Sequence, residues 1–136
     1  MKFLFPIILM VISLPVFAQS PIGSWKTIDD DTGQASSHVE IYQQGGKLFG
    51  KVTKLLQEDP NTVCDQCSGS NKNKPVVGLV IIEDLKQEGN SWASGTILDP
   101  KDGKEYNCEI WLEGGNLKVR GKHWTGLYRT QTWYRI

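Results

Sequence analysis

A chain of 136 residues with Lys+Arg and Asp+Glu both at 15 carries no formal net charge. It has no basic run, so it lacks the electrostatic footprint by which proteins hold nucleic acid or an anionic membrane face. Fourteen glycines and five tryptophans, interspersed with polar turn clusters, favour an all-β protein over a helical one.

Residues 1–18 read as a secretory signal. Lys2 supplies the positive start, Phe3 to Leu14 is almost unbroken apolar sequence, and Val16-Phe17-Ala18 sets up a cut before Gln19. The apolar run is short for a bilayer span and no second one follows. No cysteine follows it closely enough to carry a lipid anchor. The expected product is a soluble, periplasmic or secreted protein. Taking 18 residues from 136 leaves 118, and losing Lys2 leaves a formal charge of −1. A chain of that length, 19–136, is one domain that can bury a core without depending on staples.

Gly23-Ser24-Trp25-Lys26-Thr27 opens the domain with a tryptophan that distant sequence must cover, and the closing run Arg129 to Arg135 is the natural neighbour. Asp29-Asp30-Asp31-Thr32-Gly33 is a turn whose short side chains can bond back to their own backbone. From Ser37 to Tyr42, Val39 and Ile41 alternate with polar residues, the two-residue period of a half-buried strand. Gln43-Gln44-Gly45-Gly46 turns tightly into a return strand, Lys47 to Leu56, with Leu48, Gly50 and Val52 on one face.

Gln57 to Pro75 is polar, contains Cys64 and Cys67, and is long for a connection inside a compact domain, which points to a functional or locally stapled segment. Val76 to Ile82 is apolar apart from Gly78 and fits a buried strand or a short helix. Ser91–Leu98 and Glu105–Leu112 flank the turn Asp99-Pro100-Lys101-Asp102-Gly103, where proline presets one dihedral and glycine accepts the left-handed conformation. On the return strand Tyr106, Cys108, Ile110 and Leu112 share a face. Glu113-Gly114-Gly115-Asn116 turns into Leu117–Arg120, and Leu127–Arg135 ends the chain. About eight strands joined by short hairpins are the layout of an antiparallel up-and-down barrel, which closes its own edges.

Three stretches together, Gly95 to Tyr106, Leu117 to Gly121 and Arg129 to Arg135, with Gly23-x-Trp25 in front, resemble the small exported bacterial proteins grouped as domain of unknown function 2147. The chain departs from that pattern at Lys122-His123-Trp124, where an aromatic usually follows Arg-Gly directly, and at Tyr128, where a glycine commonly precedes the arginine. The resemblance implies no activity. Gly-x-Trp with a basic residue late in the last strand is also similar to lipocalins and fatty-acid-binding proteins. That similarity implies a lipocalin-like barrel whose Trp25 packs at the closed end beneath Arg135 or Arg129, a cation–π contact of about 0.5–2 kcal/mol.

Cys64-x-x-Cys67 admits a disulfide, a redox and a metal reading. Export favours a disulfide stapling the long loop. A catalytic dithiol would want a helix start that the sequence lacks, and Cys108, His38 and His123 are too scattered to complete a zinc site. Cys108 reads as a buried free thiol acting as a small hydrophobe. Arg129, Gln131, Trp133 and Arg135 share one face of the last strand. If that face points inward, its charges need partners or a ligand, and arginine's planar fork suits a carboxylate. The competing reading pairs these groups with Glu40 or Glu109, or sets them at wet barrel ends.

The reading is a non-enzymatic binding protein, expected to be monomeric and free of cofactors and metal. Its expected ligand is a small hydrophobic or amphipathic acid held by Arg129, Gln131, Trp133, Arg135 and Tyr106. Gly23, Trp25, Asp99, Pro100 and Gly103 are structural. The alternative is a filled barrel acting through its surface as an envelope interaction or inhibitor module, and an enzyme comes third because no nucleophile–base pair or carboxylate dyad assembles.

Overall fold

The computed structural model describes residues 2–12 and 19–136. Residues 2–12 carry no helix or strand and are exposed, and the cut expected after Ala18 lies outside the described residues. Among the described residues, no helix is long and apolar enough to cross a membrane.

Eight strands follow in order: β1 (Gly23–Ile28), β2 (Ala35–Gln44), β3 (Lys47–Leu55), β4 (Val80–Glu88), β5 (Ser91–Asp99), β6 (Lys104–Glu113), β7 (Asn116–Lys122) and β8 (Tyr128–Arg135). Each pairs antiparallel with the next, and β8 returns to β1 through Trp25 opposite Arg135 and Lys26 opposite Tyr134. The sheet is a closed barrel. Closure gives every strand two neighbours, although β8 meets β1 over only those two residue pairs, and so shortens the edge another chain could extend.

The two-residue period decides what goes inside. Val39 and Ile41 of β2, Leu48 and Val52 of β3, Cys108 and Ile110 of β6, and Leu117 and Val119 of β7 point inward and are buried. One half of the interior is packed solid by Trp25, Ile41, Leu48, Ile82, Leu85, Ile110 and Leu117, each at most 1% exposed. At about 1.5–3 kcal/mol per fully buried large apolar side chain, this plug contributes substantially to stability.

Trp25 seals that end. Its ring is fully buried, its Nε1–H donates to Pro21 O at 2.8 Å, and the Arg135 guanidinium stands 4.2 Å from the ring centroid. Arg135 also donates to Ile22 O at 3.2 Å and Ser20 O at 2.8 Å, tying the approach to β1 across the barrel base. Gly23, at φ +134°, stands against this group: a Cβ there would lie 2.9 Å from the Arg135 guanidinium. Of the two arginines expected over Trp25, the structure selects Arg135.

The disulfide Cys64–Cys67 is formed and buried, and Cys108 is a buried free thiol. The loop it staples has one 3-10 turn, Gly69–Asn71, and an isolated bridge between Val63 and Pro75. It docks on the β5–β6 turn. Gly103 has φ +72°, and a Cβ at that position would collide with Gln66 O. Cys64 Sγ lies 3.6 Å from Pro100 O. Glycine is therefore required both by the turn and by the loop pressed against it.

The strand or helix expected over Val76–Ile82 is corrected. Val76 N–H bonds Thr62 O and Gly78 N–H bonds Val52 O, so Val76–Leu79 finish the long loop, while Val80–Ile82 are strand, the start of β4 (Val80–Glu88). Ile81 and Ile82 are both buried because β4 pairs irregularly with β3, and Asp84 takes φ +60° before Leu85 turns inward again.

Candidate functional site

The half of the barrel away from Trp25 is hollow. A cavity of about 840 Å³ opens there, within the usual 300–1,000 Å³ of small-molecule sites. Its apolar wall comes from Val52, Val76, Ile81, Ile97, Leu98 and Val119, with Trp133 the lining residue of β8 nearest the plug. The interior is therefore filled at one end and hollow at the other, which combines features of the two barrel readings that the sequence left open.

A polar line climbs the inner face of β8. Trp133 Nε1–H donates to Gln131 Oε1 at 3.1 Å, Gln131 Nε2 donates to Asp30 Oδ2 at 2.8 Å, and Arg129 Nε meets the same Asp30 oxygen at 3.2 Å. Asp30 thus gathers the two polar side chains of the strand that face the cavity. Beside it, Lys101 Nζ bonds Asp29 Oδ2 at 2.7 Å. These contacts join the β1–β2 loop to β8 and to the β5–β6 turn across the mouth. On the wall, Thr27 Oγ1 shares hydrogen bonds with Ser36 Oγ at 2.8 Å and Ser37 Oγ at 2.6 Å. Tyr106 OH donates to Asp102 Oδ2 at 2.8 Å at the rim.

These contacts shift the titrating groups. The Lys101 hydrogen bond, with backbone N–H groups of Asp31 and Thr32, holds the Asp29 carboxyl below the usual carboxylate range. The same bond raises Lys101, assisted by the nearby charges of Asp29, Asp99 and Glu58. Asp102 raises the Tyr106 hydroxyl by accepting its proton in a hydrogen bond. Burial pushes the Cys108 thiol up to about 12, which holds it in the neutral form.

A family model described as "Uncharacterized protein conserved in bacteria (DUF2147)" matches residues 23–135. The chain belongs to that family. The DUF2147 match runs from the first residue of β1 to the last of β8, so it spans the barrel and its cavity. Among solved structures, protein HP1028 from Helicobacter pylori, described as belonging to the lipocalin family, superposes with a TM-score of 0.77 at 19% identity. The alignment covers 88% of this chain and 84% of that one. The DUF2147 barrel here is lipocalin-like in fold. No curated protein matches the chain.

Of the side chains expected to hold a ligand, Arg129, Gln131, Trp133 and Tyr106 line the cavity. Arg135 does not; it lies at the sealed end over Trp25. The expectation of uncompensated positive charge inside the barrel is also corrected. The Arg129 side chain is 67% exposed at the mouth and paired with Asp30. Glu40 and Glu109, the carboxylates named for it, follow or precede inward residues in β2 and β6 and so face outward. Asp99 and Pro100, expected only to shape a turn, line the cavity as well, together with Lys101. Asp30, Lys101 and the Thr27, Ser36 and Ser37 hydroxyls were missed, since nothing in their spacing ties residue 30 to residue 131.

Proposed function

We propose that this protein binds a small, elongated apolar molecule in the barrel, with the molecule's polar end at the mouth beside Arg129 and Gln131. The observation that carries the proposal is the 840 Å³ cavity with an aliphatic wall and a polar rim; in folded proteins such concavities with a few convergent polar groups are the usual small-molecule sites. The protein acts outside the cytoplasm, as a monomer and without catalysis. The exposed apolar residues 3–12 and the buried Cys64–Cys67 disulfide support export, and barrel closure supports the monomer. The acid head group expected from the sequence loses its main support, because Arg129 already has a carboxylate partner.

The test is displacement of N-phenyl-1-naphthylamine, a neutral fluorophore, from wild type and from Val119→Trp. Val119 is 2% exposed and lines the cavity, so an indole in its place narrows the cavity from the wall. Wild type should enhance the fluorescence saturably and the variant should do so with severalfold weaker affinity, while both keep the far-ultraviolet signature of a β-protein. Equal binding by the two would place the fluorophore elsewhere and remove the basis for the reading.

A further inference from the structure

The charges at the mouth are strongly one-sided. Asp29, Asp30, Asp31, Glu58, Asp99 and Asp102 line the opening, against Lys101 and Arg129. Both cations are already engaged, Lys101 by Asp29 at 2.7 Å and Arg129 by Asp30 at 3.2 Å. Asp31, Glu58, Asp99 and Asp102 have no ion-pair partner among the described residues. The surroundings of Lys101 agree, since Asp99 and Glu58 lie near enough to act on its charge together with Asp29.

A ligand whose apolar part enters the wall leaves its head among these groups. An anionic head would have to displace Asp30 from Arg129, release a carboxylate into a rim already rich in carboxylates, and stand within a few ångströms of like charge. A cationic head needs no displacement. It meets unpaired carboxylates in a concave site with low-dielectric walls, where field lines are focused and opposite charge is drawn in. We infer that the mouth selects a cationic head group, an aliphatic or quaternary amine on an apolar chain, and rejects the corresponding carboxylate. This inference rests on the cavity-binding reading and fixes the chemical class of its ligand.

The experiment uses three probes with one chain length, decylamine, decanol and decanoate, competing with N-phenyl-1-naphthylamine at neutral pH and low salt. Decanol reports the cavity alone. The expected order is amine, then alcohol, then acid, with the amine about tenfold or more ahead of the acid and the gap shrinking as added salt screens the rim. The double variant Asp31→Asn, Glu58→Gln, at two exposed positions outside any strand, should narrow the gap and leave decanol unchanged. Decanoate binding as well as decylamine, or a gap indifferent to both salt and the double variant, overturns the inference while decanol binding keeps the cavity reading standing. Failure of decanol to compete overturns both.

Discussion

Gln131 Nε2 donates to Asp30 Oδ2 over 2.8 Å, joining the inner face of the last strand to the first loop of the barrel. Arg129 meets the same oxygen and Lys101 holds the adjacent Asp29. The β1–β2 loop is thus fastened at two neighbouring residues, to two different parts of the mouth, the Asp30 contact open to solvent and the Asp29 carboxyl only 9% exposed.

Removing one fastening should therefore act on traffic more than on folding. For Asp30→Asn we expect a change in unfolding free energy of no more than about 1 kcal/mol, since exposed ion pairs contribute little. The dissociation rate of a bound neutral fluorophore, followed by stopped-flow dilution, should rise severalfold. A large loss of stability with an unaltered rate would show that Asp30 supports the fold and leaves the mouth alone.

Trp25 and Trp124 provide the opposite contrast. Trp25 is 0% exposed under Arg135, whereas Trp124 is 86% exposed in the β7–β8 loop. Trp25→Ala should cost about 3–5 kcal/mol, and Trp124→Ala should stay within about half a kcal/mol. Urea unfolding of the two variants decides it; similar midpoints would contradict the assignment of the sealed end.

Gly103→Ala tests the seat of the disulfide loop. The residue has φ +72° and the added methyl would strike Gln66 O, so the cost should exceed the roughly 0.4–1 kcal/mol that the entropy gain of alanine returns at permissive sites. Hydrogen exchange should then rise around residues 62–76 before the strands are affected. A variant as stable as wild type with an unchanged exchange pattern would mean that the loop does not depend on this contact.

Acid should loosen the Asp29–Lys101 fastening. The carboxyl is held below its ordinary value of 3.8 when folded, so its contribution to stability is fully present above that value and is lost as pH falls through the folded one. Urea midpoints of wild type and Lys101→Met, compared from pH 6 to pH 2.5, should differ most at the upper end and converge at the lower. Parallel curves would show that the pair does not act through Lys101.

Much of the barrel is legible because alternation such as Val39 and Ile41, or Cys108 and Ile110, records a single buried face. Tight turns such as Gln43 to Gly46 record which strands are neighbours. Only the second half of β4 escaped, because Glu83 to Glu88 is polar in sequence and irregular in register. The space it needs is set by Gly95 of β5, where a Cβ would meet the backbone of Glu83 and Asp84, a relation between strands that no single segment reveals. The site was legible on β8, where Arg129, Gln131 and Trp133 keep one period. It was not legible at Asp30, whose neighbours Asp29 and Asp31 carry the same turn signal. Only the closed barrel brings residue 30 to residues 129 and 131, and so gives Arg129 a carboxylate partner that the strand alone does not reveal.

The plug around Trp25 and the cavity above Trp133 share strands but few side chains, and this has an evolutionary corollary. In many binding proteins the groups that recognise a ligand are themselves strained or buried, so a change of specificity erodes the margin of stability. Here the solid plug sits at one end, while the groups proposed to choose a ligand's head lie at the other, many of them in loops. Relatives could exchange rim charges freely and acquire new ligands without crossing the threshold for folding, which makes rim residues poor guides, and plug residues good ones, for aligning distant members of the family.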